Sequence, residues 1–174
     1  MNLALTRLFA RSPKGRRAYG TSPQKRGKNV SMIAALSLSG VLTEISLIGA
    51  TDGLTFEAFI SQKLVPKLWA GACVVMDNCS IHLGEGIQAL IEQAGARLLY
   101  LPPYSPDFSP IENCWSKIKG ILRSIGARTY LDLAKAIEKA FNQVSLKDIQ
   151  GWFTHCCYRT SLDQKTLYYK LCKK

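Results

Sequence analysis

Two carboxylates stand out by type and setting. Asp77 closes the apolar run Val74-Val75-Met76 and is followed by Asn78, the position where a buried strand would end. Glu112 comes after 34 intervening residues and follows a loop holding Pro102, Pro103, Pro106 and Pro110, where a helix can begin. Hard oxygen donors of this kind suit Mg²⁺, which takes one or two protein carboxylates and leaves its other positions to water and phosphate. A pair of such ions can stabilise both the attacking and the leaving oxygen of a phosphodiester. Each acid also has a plainer reading. An Asp-Asn pair after a strand commonly caps a turn through its side chain. A Glu in the first turn of a helix complements the helix dipole. Neither carboxylate alone decides between the two.

The surrounding pattern supplies the elements that must hold them. Residues 73–76 read as a buried strand that delivers Asp77 at its carboxyl end, the side on which open α/β sheets bind ligands. Residues 111–124 read as the helix that carries Glu112, with Pro110 suited to its first turn. Upstream, 30–39 and 41–48 form a hairpin turning at Ser39-Gly40. Leu54, Phe56, Phe59, Ile60, Leu64 and Leu68 recur near helical spacing over 54–68, with Thr51 or Asp52 as cap and Pro66 ending or kinking the run. A helix over 84–94 closes at Gly95, and 97–101 is the next strand. Helices over 130–143 and 146–156 carry capping-box spacing in Thr129-x-x-Asp132 and Ser145-x-x-Asp148. Residues 1–11 fit an irregular segment or a short helical turn. Residues 13–28 form a basic loop with brief extended pieces around Arg17-Ala18-Tyr19, and 159–174 a basic tail with partial helix. Strands followed by alternating strand and helix predict one α/β domain built on a single mixed sheet.

Composition fits one domain with a real core: 174 residues, 47% hydrophobic and 20% charged. The net charge of +11 is unevenly placed. Residues 1–43 hold eight Lys/Arg and no acid, 44–113 three bases against eight acids, and 114–174 twelve bases against four acids. Basic flanks around an acidic centre fit a metal-carboxylate site that grips a polyanion. On charge alone, solubility explains them nearly as well. Lys14, Arg16, Arg17, Lys25, Arg26 and Lys28 are the nucleic-acid candidates, with Tyr19 among them to stack or to pack. The six cysteines contain no Cys-x-x-Cys pair, which argues against zinc. With no secretory signal they read as reduced thiols, several of them in the core. The longest uncharged run, 29–43, is too short and too polar to span a membrane.

The two acidic frames resemble the catalytic domain of mariner-superfamily transposases, in the bacterial insertion-sequence branch. The resemblance rests on Val75-Met76-Asp77-Asn78 with His82, on Leu101-Pro102-Pro103-Tyr104-Ser105-Pro106-Asp107, and on Ile111-Glu112-Asn113. Pro13-Lys14-Gly15-Arg16 and Arg26-Gly27-Lys28-Asn29 extend it, so that it covers about 1–158. It implies a DDE endonuclease domain of ribonuclease-H-like fold, a mixed sheet flanked by helices. Asp77 and Glu112 then stand as the second Asp and the Glu of an Asp, Asp, Glu triad that binds Mg²⁺ or Mn²⁺. Ser109 occupies a place where Asn is usual. The triad's first Asp belongs to a strand upstream of the segment that matches Met1. The expectation is therefore a truncated domain over 1–158, missing its first, central strand and inactive alone, with 159–174 as tail. Such a chain is either the second of two overlapping reading frames, functional with an upstream segment, or a non-catalytic remnant that binds nucleic acid nonspecifically.

The resemblance further implies phosphoryl transfer. Water cleaves the phosphodiester at an element's end, and the freed 3′-hydroxyl attacks target DNA. The implied partners are transposon ends and target DNA, the implied state when intact is a dimer, and the place is the cytoplasm at the nucleoid, with no membrane. His82 is set beside the site, to touch DNA or to position Asp77, and a packed histidine is the alternative. Asn78 orients Asp77 or bonds a phosphate. Trp115 reads as core, and Lys117 and Lys119 face either DNA or solvent.

Overall fold

β1 (Val30–Ser37) is buried at all eight of its positions. The computed structural model describes residues 1–158 and the backbone of Tyr168–Tyr169. Successive residues of a strand face opposite sides, and β1 feeds two cores in this way. Val30, Met32, Ala34 and Leu36 pack with α3 (Pro110–Ile125), α4 (Tyr130–Asn142) and α5 (Leu146–His155). Ile33 and Ala35 pack with Phe56 and Phe59 of α1 (Gly53–Phe59), with Val74 and Met76 of β3 (Cys73–Met76), and with Ile87 and Ile91 of α2 (Glu85–Gln93). Helices therefore cover the β layer on both faces, which is why β1 is buried on both.

β2 (Gly40–Ile48) pairs antiparallel with β1, from Val30↔Ile48 to Ala35↔Thr43, and a bulge at Leu42 shifts the last pairs to Leu36↔Val41 and Ser37↔Gly40. β4 (Arg97–Tyr100) runs parallel to β3, from Cys73↔Arg97 to Met76↔Tyr100, with α2 in the crossover. On its other side β3 pairs in parallel with β5 (Tyr168–Tyr169), which also lies against β1. The single mixed sheet expected from the sequence is thus two ladders among the described residues, β1-β2 and β4-β3-β5.

The start of the chain is tied to β1. Met1 and Val30 exchange both backbone hydrogen bonds, one of them 2.7 Å long, the reciprocal pattern of an antiparallel pair. Leu3 N–H donates to Arg26 C=O at 3.2 Å, and Arg128 donates to the carbonyls of Leu3 and Leu5. The Tyr130 hydroxyl accepts from Lys28 N–H, and a Cβ at Gly27 would stand 2.6 Å from that hydroxyl. Residues 1–11 are irregular, and no ladder forms around Arg17-Ala18-Tyr19.

Most helix ends fall close to their signals. Asp52 caps α1 by accepting from Thr55 N–H at 2.8 Å, and Ser145 with Asp148 forms a reciprocal capping box on α5. The helix expected over 54–68, with Pro66 ending or kinking it, changes form after Phe59. After Phe59 the Val65 N–H bonds Ile60 C=O, giving a wide turn over Ile60–Leu64 and then a 3₁₀ turn over Val65–Lys67. Pro66 is the cause: it has no N–H and crowds the carbonyl four residues back. The partial helix expected in 159–174 lies outside the described residues, apart from Tyr168–Tyr169, which are strand. No helix among the described residues is long and apolar enough to cross a membrane.

Candidate active site

β3 ends at Met76, fully buried, and Asp77 is the first residue to leave the sheet. Its Oδ1 accepts from Cys79 N–H at 3.2 Å and from the His82 ring at Nδ1, 2.7 Å away. The first contact is the side-chain-capped turn of the plainer reading. The second fixes the same oxygen from another direction. The turn and a reactive role are therefore compatible, because the turn orients a carboxylate that stays one-third exposed.

Glu112 is the third residue of α3. Ile111, Cys114, Trp115, Ile118 and Leu122 of that helix are buried in the core, and Trp115 meets Phe141 edge to face with centroids 6.1 Å apart. Burial pushes the Cys114 thiol up to about 12, so it behaves as a packed apolar group. With this face locked, Glu112 leaves the helix from a partly exposed position. Asp77, Asn78 and Glu112 all line one cavity of about 470 Å³, whose wall is completed by Cys79 and the proline loop from Leu101 to Pro106.

His82 is 0% exposed. Its ring lies against Phe56 with centroids 4.4 Å apart, and its carbonyl accepts from the Tyr100 hydroxyl at 2.8 Å. Burial raises the Tyr100 pKa above the ordinary phenol value. His82 Nε2 finds no hydrogen-bond partner among the described residues, which leaves Nδ1 as the donor toward Asp77. The expectation that His82 touches DNA is corrected by this burial, since no part of it reaches the surface.

The basic candidates lie elsewhere. Lys14, Arg16, Arg17, Lys25, Arg26 and Lys28 are all exposed, and none lines the cavity. Lys117 pairs with Asp148 at 2.5 Å and stays partly exposed. Two residues named in the sequence only for a motif run or a helix face stand at the site: Tyr104 on the cavity wall and Phe56 beneath His82. Tyr104 could have been found as an aromatic residue set between prolines next to an acidic frame. Among the described residues no group of three or more His, Cys, Asp or Glu side chains converges to hold a metal.

Residues 1–133 match the family described as DDE superfamily endonuclease. The chain belongs to that family. Among the curated proteins none matches its sequence. Solved structures match this DDE endonuclease chain in fold. The Mos1 transposase paired-end complex with left transposon end aligns with a TM-score of 0.69 at 16% identity, over 90% of this chain and 48% of that one. The catalytic domain of Mos1 mariner transposase aligns at 0.57 and 16% identity, over 73% and 67%. The Mos1 catalytic domain with raltegravir and Mg aligns at 0.58 and 15% identity, over 72% and 71%. The shared architecture is the ribonuclease-H-like α/β fold. The DDE endonuclease chain spans about half the length of the Mos1 chain in the paired-end complex.

Proposed function

We propose that this chain is the catalytic part of a mariner-type transposase of the bacterial insertion-sequence kind, which cleaves DNA at an element's ends and joins the freed strand to target DNA. The observation that carries this reading is that Asp77 and Glu112, from two different elements, line one cavity. Their donor set is oxygen only and fits Mg²⁺ or Mn²⁺. A divalent ion held by these carboxylates would neutralise charge at the reacting phosphate and favour attack by water or a 3′-hydroxyl.

The chain's own residues prepare the site. Cys79 N–H and His82 fix Asp77 before any ligand arrives, so little reorganisation is left for the reaction. His82 is a positioning residue in this reading, since groups that hold a metal-binding side chain tune its affinity. Asn78, exposed beside Asp77, offers its amide to a phosphate oxygen. The six basic residues of 14–28 grip the DNA backbone away from the cavity. The working unit is residues 1–158 with 159–174 as tail, acting as a dimer on transposon ends and target DNA in the cytoplasm at the nucleoid.

Two acids meet at the cavity among the described residues, and the triad reading calls for a third. The test is strand cleavage of transposon-end DNA with Mg²⁺, by the chain as it stands and by a form with a strand ending in Asp joined ahead of Met1. Cleavage is expected only from the second, and Asp77→Ala should abolish it. Cleavage by the first form that survives Asp77→Ala would overturn the assignment.

A further inference from the structure

We infer that Tyr104 is a stacking platform for an unpaired nucleobase at the mouth of the active site, an inference that rests on the DNA-cleaving function proposed above. Tyr104 lines the same cavity as Asp77 and Glu112, yet its side chain is fully exposed, at 102% of the reference area. A large aromatic residue wholly in water contributes nothing to the core. Its backbone is also unfavourable. Tyr104 has φ +56, and among the described residues only Cys157 shares a positive φ outside glycine. The left-handed region crowds the Cβ of an L-residue, and Gly or Asn would occupy it with less strain. Exposure and strain at one residue, on the wall of a reactive cavity, indicate a role outside folding.

The loop is built to present the ring. Pro102, Pro103 and Pro106 restrict the backbone on both sides, and the Ser105 hydroxyl donates to Pro103 C=O across Tyr104 at 3.3 Å. A ring on a stiff support loses little freedom when it binds. Its open faces suit a flat, apolar, sequence-tolerant partner, and every nucleobase has such a face. Only a base released from its own stack can use the ring, so the platform takes a nucleotide unpaired at or beside the scissile phosphate.

The test compares wild type with Tyr104→Phe, Tyr104→Trp, Tyr104→Leu and Tyr104→Gly for binding to a short single-stranded oligonucleotide and to its duplex. Phe and Trp should bind the single strand within about twofold of wild type, while Leu and Gly should lose about tenfold on the single strand and little on the duplex. The Trp variant's emission should be quenched as the single strand saturates it. The Gly variant should keep or raise Tm, because it removes the left-handed strain, and this separates lost affinity from lost folding. Tyr104→Leu binding the single strand like wild type, equal losses on both ligands, or an unquenched tryptophan would each overturn the platform. If the wild type binds neither oligonucleotide, the DNA-cleaving reading falls and takes the platform with it.

Discussion

The cavity at Asp77 and the loop over 14–28 both depend on charged side chains, and they hold them in opposite ways. Asp77 follows a strand that is buried at all four positions, and its Oδ1 has two hydrogen-bond donors. Glu112 rides on a helix whose core face is nearly sealed from solvent. The six basic residues sit on exposed chain without a ladder or a helix, tied down only near its C-terminal end, where Arg26, Lys28 and Val30 bond Leu3, Tyr130 and Met1. The difference follows from what each must do. Ligands for a metal ion must stand within a fraction of an ångström of their places. A cation facing a phosphate backbone acts over a Debye length, about 8–10 Å near physiological salt, and tolerates motion.

The comparison can be broken most sharply at the carboxylates. In a cleavage-competent form, Asp77→Asn or Glu112→Gln should slow strand cleavage on the order of 10³-fold, equivalent to several kcal/mol of transition-state stabilisation, with DNA affinity nearly unchanged. Single-turnover cleavage rates and a filter-binding curve measure the two separately. A parallel loss of affinity would mean that the acids do not belong to a reaction site.

The rigid support should matter next. Trp115→Ala removes a buried ring from the face of α3 that holds Glu112 in place, and is expected to cost about 3–5 kcal/mol in urea unfolding. A loss below about 1 kcal/mol would show that α3 is not anchored as described. In the basic loop, replacing Lys14, Arg16, Arg17, Lys25, Arg26 and Lys28 by Ala should weaken DNA binding and leave Tm nearly fixed. The log–log salt slope should flatten by about 0.9 for each phosphate that is no longer neutralised. An unchanged slope would move the phosphate grip to another surface.

The smallest effect is expected at Asp148, where hydrogen bonds from Lys117 and Ser145 pull the carboxyl down to about 2. A carboxyl whose folded pKa lies below its ordinary value of 3.8 stabilises the fold above that value and loses the contribution as pH falls toward 2. Asp148→Asn should therefore cost about 1 kcal/mol near pH 6, through the helix cap and its neighbour. The gap between variant and wild type should narrow as pH falls from about 4 to 2. A gap as wide at pH 2 as at pH 6 would assign the cost to packing.

Elements with strong local signals were legible in the sequence. Cys73–Met76 is found as expected, because a short apolar run ending in Asp-Asn has few other readings. The Ser145 and Asp148 spacing marks the start of α5 for the same reason. Family, fold class and the acidic frames were legible through the motif runs around Asp77 and Glu112. Features made by tertiary contact were not. The burial of His82 depends on Phe56, 26 positions away in the chain. The split of the β layer depends on what lies between β1 and β3, which no local pattern encodes.

The reciprocal bonds between Met1 and Val30 fix a direction of travel. They set the backbone of residue 1 antiparallel to β1, on the edge that β2 does not use. Residues joined ahead of Met1, whether a purification tag or a longer natural chain, would be launched alongside Ser31, Met32 and Ile33. They would run into the space where Tyr168–Tyr169 touch both β3 and β1. The first residue acts as a rail, so an extension at this end competes with β5 for the interior of the β layer, while the same extension on an exposed loop would not.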